Sequence, residues 1–133
     1  MAQAGNTYTV SLKNTHLDWG EYRNPTNRNP IKGEAYIPIP KRYAEEFQIF
    51  NSNYKKTGWG FNLFNASSSD GFLQNVPLLA QGCTNAGDIY AKQFSVQGDL
   101  KIIGDWYKAC GVTPDHSIRV EFISDIDIKL EVI

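Results

Sequence analysis

Ile118-Arg119-Val120-Glu121-Phe122 and Ile126-Asp127-Ile128-Lys129-Leu130-Glu131-Val132, with Ser124-Asp125 between them, decide the fold class of this chain. Apolar and polar residues alternate through both runs. A period of two sends successive side chains to opposite faces of a strand, so each run offers one face to a core and one to water. A helix would need its apolar residues three and four apart, and neither run has that spacing. Ser124 and Asp125 suit a turn. The chain therefore closes on a β-hairpin.

The same reading extends toward the start. Tyr8, Val10 and Leu12 alternate with Thr9 and Ser11 and predict an opening strand. Gly60–Phe64 and Gly71–Val76 flank the polar stretch Ser67–Gly71 and predict a hairpin, and Ile89–Phe94 predicts a further strand. Glu34–Pro40 is a short extended segment that Pro38 and Pro40 confine to a sheet edge, because proline has no amide hydrogen for a central ladder. Pro40 also suits the first position of a helix over Lys41–Gln48, whose apolar face is Tyr43, Ala44 and Phe47. A second helix follows Asp99 as N-cap. It carries Leu100, Ile103, Trp106, Tyr107 and Cys110 at helical spacing, and Gly111 ends it. Six or seven short strands and two short helices give a mainly β, α+β architecture: a small barrel or sandwich with helices covering its ends.

The 133 residues suit one domain with one core, spanning residues 1–133, and no internal repeat divides them. A hydrophobic fraction of 41% against 20% charged excludes a disordered chain. The net charge of −1 argues against a protein that coats nucleic acid regardless of sequence. The charge is uneven, however. Residues 1–56 hold eight Lys/Arg against five Asp/Glu, whereas residues 57–133 hold five against nine, so a basic face is available. Two distant cysteines, Cys83 and Cys110, together with a start lacking a secretory pattern, point to a reduced cytoplasmic setting. No apolar run approaches membrane-spanning length, so no membrane partner is expected.

Two polar stretches stand out. Asn14–Lys32 is long for a loop in so small a domain and holds Asp18, Trp19, Glu21, Tyr22, Arg23, Asn24, Arg28 and Lys32. The second offers Gln81, Thr84, Asn85, Asp88, Tyr90, Lys92 and Gln93. Reading base edges takes Arg, Lys, Asn, Gln or carboxylates on a projecting element, and holding phosphate takes cations, hydroxyls and amides. Both stretches have that mixture. Neither His16 with Asp18 nor Asp115 with His116 has the third ligand that a metal site needs, so no metal or cofactor is expected.

Ile39-Pro40-Lys41-Arg42-Tyr43-Ala44-Glu45-Glu46-Phe47 resembles the I-P-K-x-x-A-E signature of the plant B-three DNA-binding domain. With Gly33–Pro40 before it, the segment is also similar to the relatives of that domain in bacterial restriction endonucleases, such as the EcoRII effector domain and the BfiI DNA-binding domain. The order of later features fits from about Tyr8 to Phe122. The resemblance implies an open seven-stranded β-pseudobarrel with two short helices, in a bacterial protein. It further implies sequence-specific binding of double-stranded DNA in the major groove by two arms. By position, the first arm is Asp18–Asn24 with Arg28 and Lys32, and the second is Gln81–Gln93. Cleavage would then belong to a separate nuclease domain of the parent chain, this domain being non-catalytic and monomeric. The target would be similar to CC(A/T)GG.

Within that reading Arg23 is the first choice for a guanine contact, Asp18 and Glu21 for cytosine amino groups, and Asn24 for an adenine edge. Trp19 and Tyr22 brace the loop. Asn85, Asp88, Lys92 and Gln93 are base candidates on the second arm, with Thr84 and Tyr90 on phosphates. Two rivals remain open. Pro114-Asp115 followed by Asp127-Ile128-Lys129 satisfies the loose pattern of metal-dependent nucleases, in which carboxylates hold the ion and a lysine orients water. Trp19, Trp59 and Tyr22 would instead serve a carbohydrate- or protein-binding β-sandwich.

Overall fold

The computed structural model describes residues 2–13, 34–52, 54–82 and 89–133. Seven strands form one sheet: β1 (Thr7–Ser11), β2 (Ile37–Pro38), β3 (Leu63–Ser68), β4 (Val76–Gln81), β5 (Gln93–Val96), β6 (Ser117–Phe122) and β7 (Asp127–Val132). Two helices, α1 (Lys41–Glu46) and α2 (Ile102–Ala109), complete the fold. The strand order is β1-β6-β7-β3-β4-β5-β2, antiparallel throughout except for the parallel β3–β7 pair. The sheet curls into a nearly closed barrel, the open pseudobarrel with two short helices. Its two edge strands meet where the buried Tyr8 on β1 donates its hydroxyl to the Pro38 carbonyl on β2, 3.1 Å away. Pro38 sits on an edge strand of two residues, as its missing amide hydrogen requires.

The closing hairpin forms, pairing Phe122 with Ile128 and Val120 with Leu130, and Ile118, Val120, Phe122, Ile128 and Leu130 are buried. Strand directions place α1, the β4–β5 connection and the β6–β7 turn at one end of the barrel. The other end has α2, the β3–β4 turn and the connection from β1 to β2. Between them the core is an aromatic chain. Tyr8 stacks on Tyr43 at 5.3 Å, Phe47 meets Phe122 edge-on, and Phe64 meets both Phe122 and Phe94 edge-on.

Both helices end in the same way. The Ile49 amide bonds the Ala44 carbonyl and the Gln48 amide that of Glu45. In α2 Val112 bonds Tyr107 and Gly111 bonds Lys108. These are Schellman caps, whose penultimate residue needs a left-handed backbone. Gly111 supplies it at φ 63° and Gln48 at φ 55°.

Several boundaries differ from expectation, among them β3, which is Leu63–Ser68 and not Gly60–Phe64. Helix α1 stops at Glu46, because the cap takes up Phe47 and Gln48. The second strand of the β3–β4 hairpin starts at Val76, not Gly71. Residues 69–75 are held as a turn by Asp70, whose carboxylate accepts from the Phe72 amide, the Trp106 indole, the Cys110 thiol and the Ser68 hydroxyl. Asp99 holds the Lys101 amide in the turn before α2 and does not cap the helix itself, which starts at Ile102. Ile89–Ala91 lies outside the strands, and β5 begins at Gln93. No helix among the described residues is long and apolar enough to cross a membrane.

Candidate nucleic-acid interface

The topology brings the two polar connections to one side of the barrel. Strand β2 pairs with β5 and touches β1 through Tyr8, so β5, β2 and β1 make up the side that carries the seam. The connection from β1 to β2 leaves this side at one end and the β4–β5 connection leaves it at the other. Their roots flank the seam from opposite ends.

Of the first connection, Asp18, Trp19, Glu21, Tyr22, Arg23, Asn24, Arg28 and Lys32 lie outside the described residues. Its far root is described. Glu34 is fully buried, accepts the Tyr36 hydroxyl at 2.5 Å, and is followed by an Ala35 amide bonded to the Leu100 carbonyl. Tyr107 of α2 donates to the Tyr36 carbonyl at 2.8 Å. The connection thus re-enters the barrel on a rigid, buried footing.

Of the second connection, Thr84, Asn85 and Asp88 lie outside the described residues, as does Cys83. Its roots are well defined. Gln81 and Gln93 face each other as the last β4–β5 pair, and Gln81 accepts the Ser95 hydroxyl at 2.9 Å, so it closes the ladder from which the connection departs. Tyr90 stacks on Phe50 at 5.6 Å. Asn51, buried beneath them, clamps both ends: its amide donates to the Ile89 carbonyl and its side-chain oxygen accepts from the Gly82 amide at 3.1 Å. A side chain at Gly82 would press to 3.1 Å from the Asn51 amide and 3.3 Å from the Tyr90 carbonyl, which is why glycine fits there. Asn51 is held in turn by the buried Asn62, which bonds the Asn51 and Lys56 carbonyls. Asn51 is inconspicuous in the sequence because its stretch is turn-rich. The only trace was an amide residue beside apolar Ile49 and Phe50.

Lys92 is exposed and lines a groove of about 680 Å³ between the connection and α1, with Lys41, Glu45, Ile89 and Tyr90. The exposed cations described at this end are Lys41, Arg42, Lys55, Lys56 and Lys92, set against Glu45, Glu46 and Asp125. The α2 end carries, among the described residues, Asp70, Asp99, Asp105 and Asp115 with Lys13, Lys101 and Lys108.

The residues of the nuclease pattern are not assembled. Asp115 precedes β6 and Asp127 begins β7, and the antiparallel register puts them beyond opposite ends of the hairpin. The length of a six-residue strand, on the order of 17 Å, separates them. Asp115 belongs to the turn before a strand, its amide on the Thr113 hydroxyl. Asp127 accepts from Asn65 and Ser124, and Lys129 faces Glu121 across the ladder. No group of three or more metal-ligating residues occurs among the described residues.

Compared with known proteins, the chain matches no family model, no curated protein and no solved structure.

Proposed function

We propose that this chain is a sequence-specific recognition domain for double-stranded DNA, reading the major groove with its two polar connections. The observation that carries the proposal is the topology: two polar connections leave opposite ends of the same side of the barrel. A span of four to six strand residues, roughly 13–20 Å, lies between their roots. That is commensurate with a major groove about 12 Å wide and its flanking backbones. The connections stand on buried anchors, Glu34 and Asn51, which suits a reader that must place side chains precisely. The exposed Lys41, Arg42, Lys55, Lys56 and Lys92 at the α1 end suit a polyanion. In this reading Arg23 takes a guanine, Asp18 and Glu21 take cytosine amino groups, and Asn24 an adenine. The site is similar to CC(A/T)GG, and cleavage falls to a separate domain of the parent protein.

Selection from a randomised duplex library at two salt concentrations tests the proposal. One short motif enriched at both supports it, since groove contacts outlast the salt-sensitive phosphate term. Recovery without enrichment, or binding that fades uniformly with salt, contradicts it. Magnesium-dependent cleavage abolished by Asp127→Ala would favour the nuclease reading instead.

One observation favours a binding module of another kind. Trp59 is 53% exposed between two positive-φ glycines, Gly58 and Gly60. Retention on a glycan or protein partner that is lost in Trp59→Ala, with no duplex binding, would establish that reading.

A further inference from the structure

Resting on the DNA reading above, we propose that the groove between α1 and the second connection seats a phosphate of the DNA backbone. Lys41 and Lys92 are its ligands, and Lys56 continues the track. The walls of this groove are fixed by backbone bonds. The Ile39 amide donates to the Lys92 carbonyl at 2.8 Å, and the Lys92 amide donates to the Gln81 carbonyl at 2.7 Å. The entry to α1 and the root of the second connection are therefore one rigid unit.

The side chains on it have the chemistry of a phosphodiester site. The Lys41 side chain is 89% exposed, and its ion-pair partner is Glu45 at 3.9 Å. With lysine preceding glutamate by four residues, that pair has the weaker orientation and little worth in water, so a phosphate can displace it. Ile89 and Tyr90 present an apolar flank beside the cations, which suits a sugar next to its phosphate. Beyond Tyr90 the row continues. Tyr90 stacks on Phe50, and the Lys56 ammonium stands 5.3 Å from the Phe50 ring centre. Lys92, Lys41 and Lys56 thus border one aromatic and aliphatic strip at the base of the connection proposed to enter the groove. Contacts of this kind fix the register of a protein on its duplex without reading bases. The assignment moves Lys92 from a base contact to the backbone, and adds Lys41 and Lys56.

The test measures affinity for the duplex recovered by selection, and for a scrambled duplex, over a series of salt concentrations. It compares the wild-type chain with Lys41→Gln and the double variant Lys41→Gln/Lys56→Gln. Both residues are exposed; Lys41→Gln leaves the core untouched, and the double variant also removes the contact of Lys56 with the Phe50 ring. The expected result is weaker binding to both duplexes, with the slope of log K against log salt shallower by about 0.9 per lysine removed. The selected motif stays the same. A wild-type slope in the double variant overturns the phosphate site while leaving the DNA reading intact. A change of preferred base overturns it too, since a base reader would behave in that way. Failure of the wild-type chain to bind any duplex overturns the DNA reading and this site with it.

Discussion

Asp70 shows how much one exposed side chain can organise. Hydrogen bonds from the Cys110 thiol and the Ser68 hydroxyl, with further donation from the Phe72 amide and the Trp106 indole, hold its carboxyl well below the ordinary 3.8. Burial and the neighbouring Asp70 push the Cys110 thiol up to about 11, so that it stays a donor at neutral pH. A carboxyl depressed in the folded state stabilises above its unfolded value and loses that contribution as pH falls. Asp70→Asn should therefore cost about 1–2 kcal/mol at pH 7, because one amide cannot accept from four donors. The gap to wild type should close as pH drops below 3.8, measured by urea unfolding across the acid range. At the seam, Tyr8→Phe should cost about 1 kcal/mol by removing the hydroxyl that meets Pro38. For DNA binding, Arg23→Ala should cost about 1–3 kcal/mol and relax one position of the selected site. Equal losses on selected and random DNA would make Arg23 a phosphate contact instead.

The elements differ in how openly the sequence declares them. Strands β6 and β7 were legible because alternation is a local property, and α2 because Gly111 stands where its cap needs a left-handed residue. Helix α1 uses Gln48 for the same cap, and without a glycine to mark its end the local pattern extends to Gln48, although the helix stops at Glu46. Gln48→Gly should stabilise the fold by about 0.5–1 kcal/mol in thermal or urea unfolding, by relieving that backbone cost. The start of β4 was hidden because Asp70 fixes residues 69–75 through Trp106 and Cys110, more than thirty residues away in sequence. The clamp on the second connection was hidden for a similar reason. Asn51 joins Gly82 and Ile89, partners that no local pattern connects. Asn51→Ala should leave the Gly82 amide without its acceptor and cost about 1–3 kcal/mol. It should also speed amide exchange at residues 82 and 89–92 far more than in β6 and β7, as hydrogen exchange of the free protein would register.

At the scale of the whole molecule, the basic half of the sequence is divided by the fold, with Lys41, Arg42, Lys55 and Lys56 near α1 and Lys13 at the start of the first connection. The sequence also names two polar connections without revealing that their roots flank the same seam, since that follows from strand order and from the meeting of β1 with β2. The central claim is that both connections grip one duplex. Amide hydrogen exchange of the whole chain, free and bound to the duplex recovered by selection, tests it most directly. Slowed exchange in residues 14–33 and in residues 82–92, with Leu63–Ser68 and Asp127–Val132 on the far side of the barrel unchanged, is the predicted result. Protection confined to one connection, or centred on β3 and β7, would contradict it.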